Sequence, residues 1–370
     1  MERKIGPVTA TSIVVANMIG AGIFTTSGIM AGQLPSSGWI LICWFLGGLI
    51  ALAGALSYAE LATRMPKVGG EYVYLKKIYH PSIGFLTGWT SFFVGFSVPI
   101  AASAMAFSEY IFEYKKRRCS FSHYPVYRNT LHGLKGGFKS PKFPDLSQNR
   151  DCSGTCRSRH SSFRRKRNLS VFLCYRRTEL VAGFWNSYSG WNASSYIAGE
   201  IKNPRKNLPL SLILGTSIVI LLYLALNLFI FQALPYNQAK GTIAIAERAS
   251  TKAFGPWMGD ALGLLISLAL LSSLSAFVII GPRVYFAMAR DRLFFPFAAK
   301  IHRRYKVPGR SILIQGAIAV LMVLIGSFEQ LLVYIGFALN IFPWLAVFGI
   351  FLARKRHIGN ANAFKVWGYP

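Results

Sequence analysis

The chain has 370 residues, of which 53% are hydrophobic and only 15% are charged, and its mean hydropathy is +0.39. A soluble domain has roughly 25% charged residues to cover its surface, so this composition excludes a soluble protein and indicates an integral membrane protein. Spanning strands would alternate apolar and polar residues, and the apolar segments here do not. We therefore expect helices, because a helix satisfies its own backbone hydrogen bonds inside a bilayer.

Eight apolar segments are candidates to cross a membrane, which takes about 20 residues. In chain order they lie at 8–31, 39–62, 82–112, 183–201, 209–234, 260–289, 310–327 and 330–353. Lys and Arg collect at the amino terminus and in alternate connections, whereas the other connections between the flanking spans are nearly neutral. Because positive residues favour the cytoplasmic side, this pattern predicts a multi-pass plasma-membrane protein with a cytoplasmic amino terminus.

The net charge of +28 is concentrated in the middle of the chain. Residues 114–182 hold 17 Lys and Arg against 3 Asp and Glu, together with four of the five cysteines. The flanks require an even number of crossings between 112 and 183, yet this window has no apolar run of even ten residues. We therefore divide the chain into three apolar spans (1–113), a basic segment (114–186) and five further apolar spans (187–370), which the resemblance described below numbers one to three and six to ten.

Three interpretations of the basic segment stay open. Residues 114–186 are translated out of frame and replace two lost spans, or they form a real, disordered basic loop. In the third interpretation they bind nucleic acid or lipid on a membrane anchor. The segment's basic cluster at 164–167 (Arg-Arg-Lys-Arg) lacks interleaved aromatic residues, so we expect no nucleic-acid partner.

The first apolar segment contains an unusual motif at 17–24, which reads Asn-Met-Ile-Gly-Ala-Gly-Ile-Phe. Each glycine costs a helix up to ~1 kcal/mol relative to alanine. Small residues here are typical of close helix packing. They are equally typical of a broken helix, in which the N–H groups of Ala21, Gly22 and Ile23 would hold an anionic group.

A second motif, Tyr-Ser-Gly-Trp-Asn-Ala-Ser-Ser-Tyr at 188–196, is polar although its segment must cross the membrane. Irregular backbone at that depth survives only if it lines a polar cavity or is buried in protein. The alternative is an interfacial aromatic belt with Tyr188 and Trp191 at headgroup level. Two interrupted helices in one bundle indicate a substrate site of a secondary transporter at the membrane midplane.

Four sets of residues carry a family resemblance. They are Gly-Ala-Gly-Ile-Phe at 20–24, Tyr-Ala-Glu-Leu at 58–61 with Pro-Lys-Val-Gly-Gly-Glu-Tyr-Val-Tyr at 66–74, Gly-Trp-Asn at 190–192 with Glu-Ile-Lys-Asn-Pro at 200–204, and Gly-Pro-Arg-Val at 281–284 with Ala-Met-Ala-Arg-Asp at 287–291. In these motifs the chain resembles the amino acid–polyamine–organocation (APC) permease superfamily. The resemblance covers about 1–112 and 188–370.

The resemblance implies an all-α membrane bundle of two inverted five-helix repeats, in which spans one and six are discontinuous. Spans four and five would fall in the basic segment, and spans eleven and twelve would be missing after residue 370. The implied function is secondary active transport of an amino acid or related amine by alternating access. A non-transporting remnant of such a permease is the alternative.

In such permeases the first broken helix holds the substrate's carboxylate, and backbone carbonyls of spans one and six hold its ammonium. The substrate-binding residues implied by the resemblance are Ile19, Gly20, Ala21, Gly22, Ile23, Tyr188, Ser189, Gly190, Trp191 and Asn192. The coupling partner stays open between a proton, a sodium ion and an exchanged amino acid. Hydroxyl groups for a cation are available at Ser272, Ser273 and Ser275, although such serines more often bond their own helix.

The sequence carries no motif for catalysis or for a cofactor. It has no Walker loop, no His-Glu-x-x-His and no nucleophile–His–acid arrangement. The Cys and His spacings at 119–123 and 152–160 differ from those of common structural zinc sites. We therefore expect neither an enzyme nor a metal or cofactor site.

Overall fold

The structure is a computed structural model that describes residues 3–121, 187–242, 244–302, 307–326 and 328–366. Residues Met1–Phe112 and Glu179–Pro370 form one compact unit, and the description below concerns that unit. The interpretations of the basic segment, and the Cys and His spacings within it, fall almost wholly outside the described residues.

Helices make up the regular structure of the described residues, apart from one isolated bridge that pairs Ile5 with Ile201. The all-α prediction is therefore confirmed. The α-helices are α1 (Pro7–Met18), α2 (Ala21–Ala31), α3 (Ser37–Arg64), α4 (Glu71–Ile78), α5 (Pro81–Thr90), α6 (Ser97–Phe121), α7 (Ala193–Tyr196), α8 (Pro204–Ala233), α9 (Tyr236–Ala239), α10 (Ile245–Phe254), α11 (Pro256–Arg290), α12 (Gly309–Ile325) and α13 (Phe328–Lys355).

Five helical segments in this part of the chain are long and apolar enough to cross a membrane. They are Pro7–Ala31, Ser37–Arg64, Pro81–Ser108, Pro204–Ala233 and Pro256–Arg290, and each coincides with a predicted span. The next two predicted spans correspond to α12, an apolar helix of 17 residues, and α13, which has 28 residues. Large apolar side chains such as Leu221 and Leu265 lie exposed on the outside, as lipid contact requires.

Both predicted interruptions are visible in the backbone. Helix α1 ends at Met18 and α2 begins at Ala21, with two extended residues between them. In the sixth predicted span the chain turns through 188–192 before the four-residue helix α7. The described part of 183–201 is thus not a continuous helix.

A third irregularity was not predicted from the sequence. The helix of the third span widens into a π-helical turn over Ser91–Phe96, between α5 and α6. The hydroxyl of Ser97 donates to the carbonyl of Phe92 at 2.7 Å, which supplies a partner to a backbone group in the widened turn. Such π-turns are rare and frequently occur at functional sites.

Buried ion pairs join helix ends that are distant in the sequence. The carboxylate of Glu60, at the end of α3, accepts from Nε of Arg64 at 2.9 Å and from Nε of Arg354 at 2.8 Å. It also accepts from the backbone N–H of Val366 at 2.9 Å. Glu60 therefore joins α3, α13 and the segment that follows α13.

We expect Glu60→Gln to lower the free energy of unfolding by about 3–5 kcal/mol, because it leaves two buried guanidinium groups without a countercharge. The measurement is thermal unfolding of the purified chain in detergent. Asp291→Asn is the matched control. Asp291 pairs with Lys76 at 2.7 Å on the surface, where an ion pair contributes about 0–1 kcal/mol. Equal losses in the two variants would contradict the assignment.

Candidate functional site

The two interrupted segments contact each other. The side-chain amide of Asn17, near the end of α1, donates to the carbonyl of Gly190 at 3.3 Å. The hydroxyl groups of Thr26 on α2 and Ser187 are hydrogen bonded to each other at 3.0 Å. Both halves of the first span therefore touch the irregular part of the sixth.

Two glycines make this close approach sterically feasible. A Cβ on Gly22 would lie 2.6 Å from Oγ and 3.1 Å from Cα of Ser187. Gly190 has φ +97°, and a Cβ there would lie 2.5 Å from Nδ2 and 2.7 Å from the carbonyl oxygen of Asn17. Any larger residue at either position would push the two segments apart.

A tyrosine from α8 joins the two breaks directly. The buried hydroxyl of Tyr223 lies 2.6 Å from the carbonyl oxygen of Met18 and 3.0 Å from that of Ser187. A hydroxyl has one proton, so it cannot give both carbonyls a full hydrogen bond at once. The hydroxyl therefore shares its proton between one carbonyl of each interrupted segment.

Tyr188 and Trp191, the predicted aromatic residues of the second motif, both contact α3. Tyr188 is 3% exposed, and its hydroxyl donates to the carbonyl of Trp44 at 2.8 Å. Trp191 packs edge-on against Tyr58 at 4.9 Å and covers Gly54. The burial of Tyr188 argues against an interfacial belt and for a segment buried in protein.

A small polar cavity of about 30 Å³ lies between the breaks and the π-helical turn. Three predicted substrate residues line it, namely Ser189, Gly190 and Asn192, together with Asn17 and Ser91. A cavity of this size accommodates a water molecule but not an amino acid. The structure thus shows the region in a closed form.

The remaining predicted residues lie around this cavity rather than in it. Residues 21–23 form the first turn of α2, where backbone N–H groups have no carbonyl partner within their own helix. Gly20 is extended and precedes them. Ile19 lines an apolar groove of about 570 Å³ between α1, α8 and α11.

The three serines proposed for a cation do not share one face of α11, because Ser272 and Ser275 lie on an exposed face and Ser273 is buried on another. Ser272 is exposed and lines the apolar groove with Ile19. Ser273 is buried, and its hydroxyl has no hydrogen-bond partner in the described structure. Ser275 is exposed and donates to the carbonyl of Leu271 at 2.9 Å, as serines in helices commonly do.

Sequence reasoning missed a buried acid beside the cavity. Glu71, on α4, accepts hydrogen bonds from Asn192 Nδ2 at 2.6 Å and from the hydroxyl of Tyr196 at 2.9 Å. Burial raises the pKa of Glu71 from its ordinary value of 4.5 to about 7, although hydrogen bonds to the carboxylate act in the opposite direction. The sequence showed this residue only as part of a family motif, and Tyr223 carried no signal at all.

Two interrupted helices around a polar cavity in an apolar helical bundle define a class of protein, the membrane transporters with discontinuous helices. Comparison with known families then gives the particular family. The model of the amino acid permease family matches residues 5–125 and 163–369. The chain belongs to this family and is a multi-pass membrane protein. The match extends into both ends of 114–186, beyond the range in which motifs were recognised in the sequence.

Individual relatives are transporters by name. The serine/threonine exchanger SteT of Bacillus subtilis (strain 168) is 28% identical over 404 residues, which cover 100% of this chain and 87% of SteT. The b(0,+)-type amino acid transporter 1 of Homo sapiens is 26% identical, with 96% of this chain and 76% of the relative covered. The Asc-type amino acid transporter 1 of Mus musculus is 25% identical, with 99% and 73% covered.

Removal of the Tyr223 hydroxyl tests the contact between the two breaks. We expect Tyr223→Phe to lower the free energy of unfolding by about 1–3 kcal/mol, because buried carbonyls lose their donor. Thermal unfolding in detergent measures this loss. Tyr79→Phe is the control. It removes a half-buried hydroxyl, at the end of α4, that donates to the carbonyl of Leu345. A Tyr223→Phe variant no less stable than the parent chain would contradict the role given to this hydroxyl.

Proposed function

We propose that this chain carries an amino acid across the plasma membrane by alternating access, with its amino terminus in the cytoplasm. The observation that carries the proposal is the contact between the two interrupted segments. There, backbone N–H and carbonyl groups have no partner within their own helix, although they lie inside an apolar bundle. Membership of the amino acid permease family and the names of the relatives support the substrate class. The orientation is supported by the alternation of Lys- and Arg-rich connections.

An α-amino acid needs hydrogen-bond donors at its carboxylate and acceptors at its ammonium. The donors are the N–H groups of residues 21–23, at the amino end of α2, where the helix dipole also favours an anion. The acceptors are the carbonyls around the two breaks, at Ile19, Tyr188 and Ser189. Neither end of the substrate then requires a charged side chain.

Asn17 adds an acceptor on the same side. Its Nδ2 donates to a carbonyl, that of Gly190, and this contact fixes the orientation of the amide. Its Oδ1 is buried and has no hydrogen-bond partner in the described part of the chain. Asn17 also lines the cavity, so an ammonium group there would satisfy this oxygen.

The mode of coupling is decided by experiment. Serine and threonine are the substrates to test first, and exchange is the first mode, because the name of SteT records both. Uptake that needs serine inside the vesicle indicates exchange. Uptake that follows a proton or sodium gradient indicates coupling to that ion. If Ser272, Ser273 and Ser275 bind a cation, uptake requires sodium, and Ser273→Ala weakens the dependence of uptake on the sodium concentration.

Gly22→Leu is the direct test of the substrate site. We expect it to abolish uptake of radiolabelled serine by the full chain in proteoliposomes, because a side chain at Gly22 meets Ser187 and blocks the first turn of α2. Gly316→Leu is the matched control, since a Cβ at Gly316 meets no atom within 4 Å. Undiminished uptake by Gly22→Leu would contradict the site. Absence of uptake by the parent chain, despite correct folding, would contradict the transport function.

A further inference from the structure

Glu71 lies where the connection between the second and third spans meets the irregular sixth span. Its side chain is almost fully buried, with the residue only 4% exposed. One carboxylate oxygen accepts from both Asn192 Nδ2 and the hydroxyl of Tyr196. Since Glu71 and Asn192 both line the polar cavity, the carboxyl group lies at the proposed substrate site.

This carboxyl group differs from those of Glu60 and Glu200, since no countercharge is found for it among the residues described. Glu60 is paired with Arg64 and Arg354, and Glu200 receives two hydrogen bonds from the guanidinium of Arg283, at 2.8 and 3.0 Å. The partners of Glu71 are an amide and hydroxyl groups, which are neutral. A buried carboxylate without a cation is costly, and such a group commonly binds a proton instead.

The surroundings offer an acceptor for that proton. The hydroxyl groups of Tyr58, Tyr74 and Ser195 are buried and form no hydrogen bond of good geometry in the structure as described. Tyr58 and Tyr74 both lie close enough to Glu71 to interact with its charge. A protonated carboxyl group gains one O–H donor, and the hydroxyl of Tyr58, which lies in hydrogen-bonding range of Glu71, can accept from it.

We propose that Glu71 is a proton-binding site and that its protonation frees the Asn192 amide to contact the substrate; this rests on the proposed function. The proton comes from water and binds the second carboxylate oxygen, so no other bond forms or breaks covalently. The ionised carboxylate holds Asn192 by a charge-assisted hydrogen bond, which is roughly twice as strong as a neutral one. The protonated form holds it less tightly. Substrate therefore binds better to the protonated form, and by reciprocity substrate binding favours proton uptake.

The titratable groups facing this carboxyl group are Tyr58 from α3, Tyr74 from α4 and Tyr196 from α7. All three are tyrosines that remain neutral across the relevant range. The pKa of Glu71 is raised in the folded chain from 4.5 to about 7, first by burial. Folding therefore favours the protonated acid, so its contribution to stability is complete below pH 4.5 and is lost as pH rises through about 7.

Two measurements on the full chain test the proposal, with Glu71→Gln as the variant. The amide of Gln keeps an acceptor for Asn192 and Tyr196 and imitates the protonated acid. In detergent, we expect Tm of the parent chain to fall as pH rises through about 7, and Tm of Glu71→Gln to stay level. In proteoliposomes, we expect KM for radiolabelled serine to rise several-fold over the same range in the parent chain and to stay at its low-pH value in Glu71→Gln.

Asp291→Asn is the matched control on a neighbouring acid. Burial alone would raise the pKa of Asp291, but hydrogen bonds from Lys76 and Tyr72 lower it below its ordinary value. This acid therefore stays ionised near neutral pH, and its substitution leaves both pH profiles near 7 unchanged. If Asp291→Asn removes the pH dependence as Glu71→Gln does, the proposal is wrong.

The two measurements separate this proposal from the proposed function. If the chain shows no uptake at any pH but gives the expected Tm profiles, the proton site is supported and the transport function is contradicted. Identical Tm profiles for the parent and Glu71→Gln overturn the proton site, and identical KM profiles overturn its link to Asn192.

If Glu71→Gln does not fold, Tyr196→Phe replaces it. Removing one donor to the carboxylate moves the midpoint of the Tm transition to higher pH, and an unmoved midpoint counts against the site.

Discussion

Interrupting a helix inside a bilayer frees backbone amides and carbonyls that water cannot reach, and each such group is costly unless it finds a partner. In this chain the partners come from the other interruption and from one neighbouring helix. Asn17 donates across to Gly190, and Tyr223 lies between the carbonyls of Met18 and Ser187. Neither break would be stable alone. The cavity and the proposed substrate groups exist because the two breaks meet.

The same contact explains why the site combines small and aromatic residues. Gly22 and Gly190 let the two segments approach closely, which leaves no room for a side chain at either of these two positions. The aromatic rings of Trp44, Tyr188 and Tyr223 then pack around the junction, with ring centroids 5.1–5.4 Å apart. Tight packing of this kind has few alternative arrangements. A shift in one segment is therefore transmitted to the other.

Sequence reasoning found the parts of this site that depend on local chemistry. Glycines at 20 and 22 disfavour a continuous helix, and a polar run inside an apolar span predicts irregular backbone. Both breaks could therefore be predicted from the residue types within a short stretch of sequence. Tyr223 and Glu71 were not predicted, because their roles depend on contacts 36–205 residues away in the chain. The π-helical turn at Ser91–Phe96 was not predicted either, although Pro99 lacks the N–H that would bond the carbonyl of Gly95 in a regular α-helix.

Trp191, which the resemblance assigns to the substrate site, does not line the polar cavity in this structure. Its ring packs on Tyr58 and over Gly54 of α3 rather than in the polar cavity. A backbone turn at 188–192 rotates successive side chains through large angles, so neighbouring positions face different surroundings. Asn192 faces the cavity as a result, and Tyr188 faces Trp44. Motif matching alone gives no information about this rotation.

Transport requires the closed form to open, and one of the contacts between the first and sixth spans consists of only two backbone hydrogen bonds. Near the amino end of α1, Ile5 exchanges backbone hydrogen bonds with Glu200 and Lys202, at 3.0 and 2.9 Å, so the start of the first span is held to the end of the sixth. Each such bond contributes a net of about 0.5–1.5 kcal/mol. A solute bound with a Kd of about 1 mM contributes about 4 kcal/mol. Breaking this small set of bonds is therefore within the range of the binding free energy of one amino acid, provided that the solute contacts the open and closed forms unequally.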